Sequence, residues 1–318
     1  MLKATRLDHP SIRGITFFLD RVDARPLGMH VHWKNHCEQC IYLYDQSNDN
    51  GPGDAEMAIF PGKTSVEWYP LYFYVPIGKD DKIVGFGILR TKEPILHGTE
   101  LATKMVPHAL MVRLEHAGDI IASQNHLVNK PMETFDWCLA QSRGSGPVAL
   151  VYGVPHYGCL IWEWFGGYDG TNPEKHCRFE PKFELPPSLK HRGLNFSDCD
   201  DAIYTWAPLD GLESATEYHD GLPKYGYGSS GILLRYNDGS QRTVGECSIT
   251  LSEHNDYHEP KTVHWTTTST GRYLVGFSQD DSERSTRRFQ GWESAPAKGR
   301  IEFWNHYCDG LSRILISS

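Results

Sequence analysis

The stretch Gly28-Met-His-Val-His-Trp-Lys-Asn-His-Cys-Glu-Gln-Cys-Ile-Tyr-Leu-Tyr44 decides how the chain is read, because its residues sort cleanly on strand geometry. Taken as two strands, Leu27 to Trp33 and Cys37 to Tyr44, joined by the loop Lys34-Asn35-His36, it places Trp33 opposite Cys37, His32 opposite Glu38, Val31 opposite Gln39 and His30 opposite Cys40. Side chains alternate along a strand. Met29, Val31, Trp33, Cys37, Ile41 and Leu43 therefore share one side with only Gln39 polar among them, while His30, His32, Glu38, Cys40, Tyr42 and Tyr44 share the other. The first side is a core face. The second needs a chemical explanation.

One explanation is a metal. Two imidazoles at i and i+2 point the same way, and directly opposite partners bring Glu38 and Cys40 within about 5 Å at their Cβ atoms. His30, His32, Glu38 and Cys40 are thus the candidate ligands, and a divalent metal is the cofactor they would hold. A zinc knuckle built on Cys37-x-x-Cys40 fits less well, because an odd separation along a strand sends the two sulfurs to opposite faces, and no second Cys-x-x-Cys follows. A His-x-His followed by a glutamate also looks like part of the cupin metal motif; the second cupin motif, with its later histidine, has no counterpart here, and that family is not assigned. A half-exposed sheet face with wet or mutually paired histidines, and a metal-free acid/base or ligand pocket, account for the same residues.

Strand signals dominate the remaining chain. The runs "GITFFLD", "CIYLYD", "LYFYVPIG", "KIVGFGILR", "GPVALVYGV", "CLIWEWF", "GILLRYNDG", "YLVGFSQ" and "RIEFW" are rich in β-branched and aromatic residues and bounded by turn formers. Helix signals are few: "PHALMVRLEHAG" from Pro107 to Gly118, where Leu110, Val112 and Leu114 also alternate as in a strand, and "PMETFDWCLAQ" from Pro131. This predicts an all-β or β-dominated fold, an antiparallel sandwich or distorted barrel with few short helices. The polar Gly/Ser/Pro segment "QSRGSGP", residues 141–147, divides it into two β-rich lobes, 1–143 and 148–318. No repeat of fixed period occurs.

Composition narrows the function classes. A chain of 318 residues can bury a full core, and 31 basic against 40 acidic side chains, a formal charge of −9, leave no basic block to track a phosphate backbone. Nucleic acid is not an expected partner. No apolar run approaches the roughly 20 residues of a membrane span, and the start "MLKATRLDHPSIRG" lacks the apolar core of a signal peptide. Eight cysteines are too sparse for a disulfide scaffold of this size. The expectation is a soluble cytoplasmic protein with free thiols and no membrane partner.

Aromatic residues beside carboxylates supply a second candidate site. In "CLIWEWFGGYDG" alternation puts Trp162 and Trp164 on one face, ahead of a Gly-Gly turn with Tyr168 and Asp169. In "GRIEFWNHY", Ile301 and Phe303 point inward and Glu302 and Trp304 outward. Flat rings stack on the C–H faces of a sugar while carboxylates take its hydroxyls, so Trp162, Trp164, Tyr168, Asp169 and Trp304 are the expected ligand-binding residues, unless they are core. Carboxylates such as Glu163, Asp169 and Glu302 invite a glycoside-hydrolase reading, but sequence spacing cannot supply their separation. P-loop, dinucleotide and Gly-x-Ser-x-Gly fingerprints are absent. "EHNDYHEPKTVH" sets His254 and His258 four apart, in a segment that Asn255, Asp256 and Pro260 mark as a loop.

"GSSGILLRYNDGSQRTVGECSI" (228–249) followed by "FQGWESAPAKGRIEFW" (289–304) resembles a recurrent pattern of uncharacterised proteins of filamentous fungi: a strand, an Asp-Gly turn, a "VG(E/Q)" strand and a late "GW…P..G.(I/L)EFW" segment. The resemblance implies a fungal source and a β-rich fold, and it carries over no catalytic residue. Physically, the first segment is a hairpin with Asp238-Gly239 at its tip, which places Tyr236 opposite Gln241, Leu234 opposite Thr243 and Arg235 opposite Arg242, two like charges facing each other. The favoured function is a non-catalytic binding protein that recognises a carbohydrate or other polar small ligand through exposed aromatics. The alternative is an enzyme of specialised metabolism or carbohydrate chemistry, metal-assisted through His30, His32 and Glu38.

Overall fold

Twenty-one β-strands and no α-helix make up the regular structure of the described residues. A computed structural model describes residues 2–19, 26–34, 39–42, 71–97, 100–123, 135–141, 148–153, 165–168, 202–219, 229–247, 253–269, 273–279, 289, 291–306 and 311–317. The strands are β1 (Leu2–Arg6), β2 (Ile12–Leu19), β3 (Pro26–Trp33), β4 (Gln39–Tyr42), β5 (Leu71–Pro76), β6 (Ile83–His97), β7 (Glu100–Leu114), β8 (Gly118–Ser123), β9 (Phe135–Gln141), β10 (Ala149–Gly153) and β11 (Phe165–Tyr168). They continue as β12 (Ala202–Pro208), β13 (Leu212–His219), β14 (Ser229–Tyr236), β15 (Gln241–Gly245), β16 (Glu253–His258), β17 (Thr262–Thr267), β18 (Tyr273–Ser278), β19 (Glu293–Pro296), β20 (Arg300–His306) and β21 (Leu311–Ser317). All pairings described are antiparallel, as the β-dominated expectation requires.

Both helix candidates contribute strands over their described residues. Pro107, which can open a helix, instead sits within β7, where the pairing steps from Leu89 opposite Ala109 to Arg90 opposite Pro107. His108 is the extra residue of that bulge, and a bulge is where a sheet accepts a residue that has no N–H. The segment after Pro131 contributes β9, paired with β6 from Thr91 opposite Phe135 to Gly85 opposite Gln141. "EHNDYH", expected as a loop, is β16, paired only with β13 among the described residues; an edge position tolerates so polar a strand.

The chain forms two compact units of interleaved segments: Met1–Leu71, Lys82–Ile121 and Lys130–Phe183 in one, Tyr72–Asp81, Ala122–Asn129 and Glu184–Ser318 in the other. In the first unit, β3 lies between β2 and β4, β7 between β6 and β8, β6 between β7 and β9, and β10 between β1 and β11. Ile15, Phe17, Leu19, Met29 and Val31 are buried on one face of the β2–β3 pair, and Phe17 meets Phe86 of β6 at 6.2 Å between ring centroids. Arg113 closes the β7–β8 turn with a two-pronged ion pair to Asp119, at 2.6 and 2.8 Å.

Residues 142–147, the expected boundary between lobes, lie outside the described residues. β10 follows that segment and pairs along its length with β1, from Leu2 opposite Gly153 to Arg6 opposite Ala149. A chain started at Val148 would therefore bare one edge of β10. Such a truncation is expected to aggregate on refolding under conditions where the full chain stays soluble; a soluble, cooperatively melting 148–318 fragment would contradict the importance of this pairing.

The second unit joins three sheets, ordered β15-β14-β13-β16, β18-β17-β19 and β12-β20-β21. Ala215, Ile232, Leu234 and Val244 from the first, Val263, Val275 and Phe277 from the second, and Ala207, Ile301, Phe303 and Ile314 from the third meet in one core. Each such side chain contributes about 1.5–3 kcal/mol when fully buried, alanine less. Ile301 and Phe303 point inward as alternation predicts. On the opposite face of β13–β14, Tyr218, Leu233 and Cys247 pack with Tyr74 of β5, whose carbonyl accepts from Thr243 Oγ1.

The β14–β15 turn corrects the predicted register by one residue. The Tyr236 carbonyl accepts from Gly239 N–H at 2.9 Å, the Tyr236 N–H donates to Ser240 O at 3.0 Å, and Gly239 has φ of 82°. This is a type I turn followed by a left-handed glycine, a three-residue loop rather than a two-residue one. Asp238 Oδ1 holds it by accepting from Ser240 N–H at 2.9 Å and Ser240 Oγ at 2.7 Å. Arg235 is consequently opposite Gln241 and Leu234 opposite Arg242, so the two guanidiniums do not face each other.

Candidate functional site

The histidine strands have the register that their sequence predicts over the described positions: Val31 pairs with Gln39 and His30 with Cys40. Burial differs from a half-exposed sheet. Met29 and Val31 are 0% exposed, yet His30 and His32 on the other side are only 8% and 1% exposed. Their rings stack with centroids 4.4 Å apart, and His32 Nε2 shares a hydrogen bond of 2.8 Å with Thr16 Oγ1 of β2. Burial, reinforced by neighbouring His30 and Arg13, pushes the His32 imidazole down to about 3. It is neutral at pH 7, the form that ligates a metal. Glu38 and the Cys40 side chain lie outside the described residues, and among the described residues no group of three or more His, Cys, Asp or Glu side chains could hold an ion.

Of the aromatic candidates, Trp162, Trp164 and Asp169 lie outside the described residues, as does Glu163. The backbone of Tyr168 ends β11 opposite Ala149. Trp304 and Glu302 do point away from Ile301 and Phe303, but both are 0% exposed, so Trp304 is no open platform. Its ring packs on Tyr204 at 4.9 Å, the cross-strand partner on β12. The half-buried aromatic on this face is Trp206, which the sequence reading passed over. The Arg242 guanidinium lies 5.0 Å from its ring centroid and that of Arg300 5.8 Å. Glu302, opposite Trp206, forms an ion pair with Arg300, 2.6 Å from Nε to Oε1.

A third cluster was invisible in the sequence. Glu217 of β13 is 2% exposed on the core side of its sheet. Ser229 Oγ donates to Glu217 Oε1 and accepts from Val275 N–H of β18 at 2.8 Å. Glu217 Oε2 receives Tyr257 OH at 3.1 Å and lies 3.4 Å from the Asn255 amide and 3.3 Å from His219 Nε2. The Asn255 amide and His219 Nε2 are 2.6 Å apart. The local cause is simple alternation: Glu217 and His219 are i and i+2 on β13, and Asn255 and Tyr257 are i and i+2 on β16, with Glu217 directly opposite Asn255. Thr216, on the other face, donates to Asp256 at 2.6 Å and accepts from Arg235 at 2.8 Å.

No protein-family model matches this chain, and no curated protein is similar to it. Among the described residues, no helix is long and apolar enough to cross a membrane.

Proposed function

We propose that the chain is a non-catalytic binding protein for a polar small ligand of the carbohydrate class, with Trp206 as its contact platform. The observation that carries this reading is the half-buried Trp206 ring with the Arg242 and Arg300 guanidiniums over it, 5.0 and 5.8 Å from its centroid. Guanidinium N–H groups held over the indole donate to hydroxyl oxygens, and the indole surface beside them meets sugar C–H groups. Glu302 supports the site by placing a carboxylate 2.6 Å from the Arg300 guanidinium. Tyr204, buried beside Trp304, backs the same sheet face.

The test is a glycan screen on the full chain followed by titration monitored through tryptophan fluorescence. Saturable binding to at least one saccharide is expected, with no turnover. Trp206→Ala should weaken it by about tenfold or more, equivalent to about 1.4 kcal/mol, while leaving the far-ultraviolet circular dichroism unchanged. Absence of saturable binding, or binding that Trp206→Ala does not alter, would remove the proposal.

A further inference from the structure

We propose, resting on the reading of Trp206 as a contact platform, that the saccharide taken by this face is acidic, and that the guanidiniums of Arg242 and Arg300 receive its carboxylate or sulfate oxygens beside the indole. The two arginines arrive there by different routes. Arg242 belongs to β15 and Arg300 to β20, strands of two different sheets of the second unit. β15 is tied to β12 where Gly245 N–H donates to Thr205 Oγ1 at 2.7 Å, and Arg242, earlier in β15, reaches the ring of Trp206, the residue after Thr205. Arg300 opens β20 opposite Pro208, two residues beyond Trp206 on β12. Two cations from separate sheets thus meet at one indole, 5.0 and 5.8 Å from its centroid.

What a ligand meets on this face is positive. The Arg300 side chain is 23% exposed, whereas its carboxylate partner Glu302 is 0% exposed, so solvent reaches the guanidinium and not the carboxylate. Arg242 and Trp206 are likewise half-buried. The π-face of an indole attracts a cation, which accounts for either arginine alone, but two guanidiniums gathered at one ring repel each other. An oxyanion received by both offsets that repulsion, and the planar fork of N–H donors fits a carboxylate or a sulfate through paired hydrogen bonds. A neutral hydroxyl accepts from the same donors and leaves the repulsion in place. The chain as a whole carries a formal charge of −9, so its overall field disfavours an acidic ligand, and a preference for one has to arise locally.

Matched ligands test this by isothermal titration calorimetry on the full chain: an oligogalacturonate against its methyl ester, and a carrageenan oligosaccharide against its desulfated form. The charged member of at least one pair should bind about tenfold tighter at low salt, and its advantage should shrink as NaCl is raised from about 20 to about 200 mM, while the neutral member changes little. The pair that shows the preference names the group, carboxylate or sulfate. Arg242→Gln should weaken the charged member about tenfold and remove most of the preference. Arg300→Gln takes a cation away from buried Glu302 and risks unfolding, so Arg300→Lys, which keeps the charge and loses the planar fork, is the variant for that position; it should weaken the charged member about three- to tenfold. Arg6→Gln removes an exposed positive charge in the first unit and should leave the preference intact.

Charged members that bind no tighter than their neutral counterparts overturn the acidic ligand, while Trp206-dependent binding of the neutral ones would still sustain the platform; no saccharide binding at all removes both. A preference that survives Arg242→Gln overturns the proposal, and so does displacement of the charged saccharide by an equal concentration of inorganic sulfate or acetate, which would mark a plain anion site.

Discussion

Acidification from pH 7 to pH 4 is expected to remove about 3 kcal/mol of stability through His32 alone. In the folded chain His32 is enclosed by β2 and β3, bonded to Thr16 and stacked on His30, so burial first, and then the charges of His30 and Arg13, hold its imidazole down at about 3 against an ordinary 6.5. A histidine depressed in this way is protonated only in the unfolded chain between those two values. Its contribution is therefore complete above pH 6.5 and falls by about 1.4 kcal/mol for each pH unit below it, until the native imidazole itself titrates near 3. Other groups titrate over part of this range, so the informative quantity is the difference from His32→Gln, which keeps a hydrogen-bonding group near Thr16 and carries no proton equilibrium. Urea unfolding at pH 7, 5.5 and 4 should show the wild type losing stability faster than the variant. Parallel losses, or a His32 resonance that titrates near 6.5 in the native protein, would show that the ring is not enclosed as described.

The same strand shows what the sequence makes legible and what it hides. Alternation along Gly28 to Tyr44 correctly predicts that His30 pairs with Cys40, because a register is a local property of two neighbouring strands and their loop. It cannot tell that the histidine side is buried too, since that depends on what lies across it. The same limit applies to Trp304 and Glu302: alternation places them opposite Ile301 and Phe303, but opposite does not mean exposed. The β14–β15 hairpin was legible as a hairpin and misread by one residue, because Asn237-Asp238-Gly239 serves a two-residue turn or a three-residue turn equally well until Ser240 is seen bonded to Asp238. "LESATEYH" escaped notice as a strand because Glu217 stands where an apolar residue is expected, and the groups that satisfy that carboxylate come from Ser229, Asn255 and Tyr257. A Glu-x-His pair signals chemistry only when its partners on another strand are known.

Gly231→Ala is expected to destabilise the second unit by about 3–4 kcal/mol, near the upper end for a single methyl group. Gly231 lies in β14 opposite Tyr218 on one side and Gly245 on the other. Beyond β15 the chain turns back across it, with Glu246 N–H donating to Ser230 O at 2.7 Å. A Cβ at Gly231 would collide with the Glu246 carbonyl oxygen and lie 2.5 Å from Cys247 Sγ and 2.7 Å from the Glu246 carbonyl carbon. Two of these atoms are backbone and cannot rotate aside. Cys247 is itself fully buried with Tyr74, Tyr218 and Leu233, so moving it opens that cluster. Gly211→Ala provides the calibration: its φ is 76°, but nothing lies within 4 Å of the added methyl, so only the left-handed backbone penalty of about 1–2 kcal/mol applies. The double variant Gly231→Ala, Cys247→Ala should recover part of the loss, since it removes the sulfur and leaves the carbonyl in place. Unfolding in urea separates these outcomes: a Gly231→Ala protein no less stable than Gly211→Ala, or one fully restored by Cys247→Ala, would mean that the backbone after β15 does not pass as close to β14 as this packing requires.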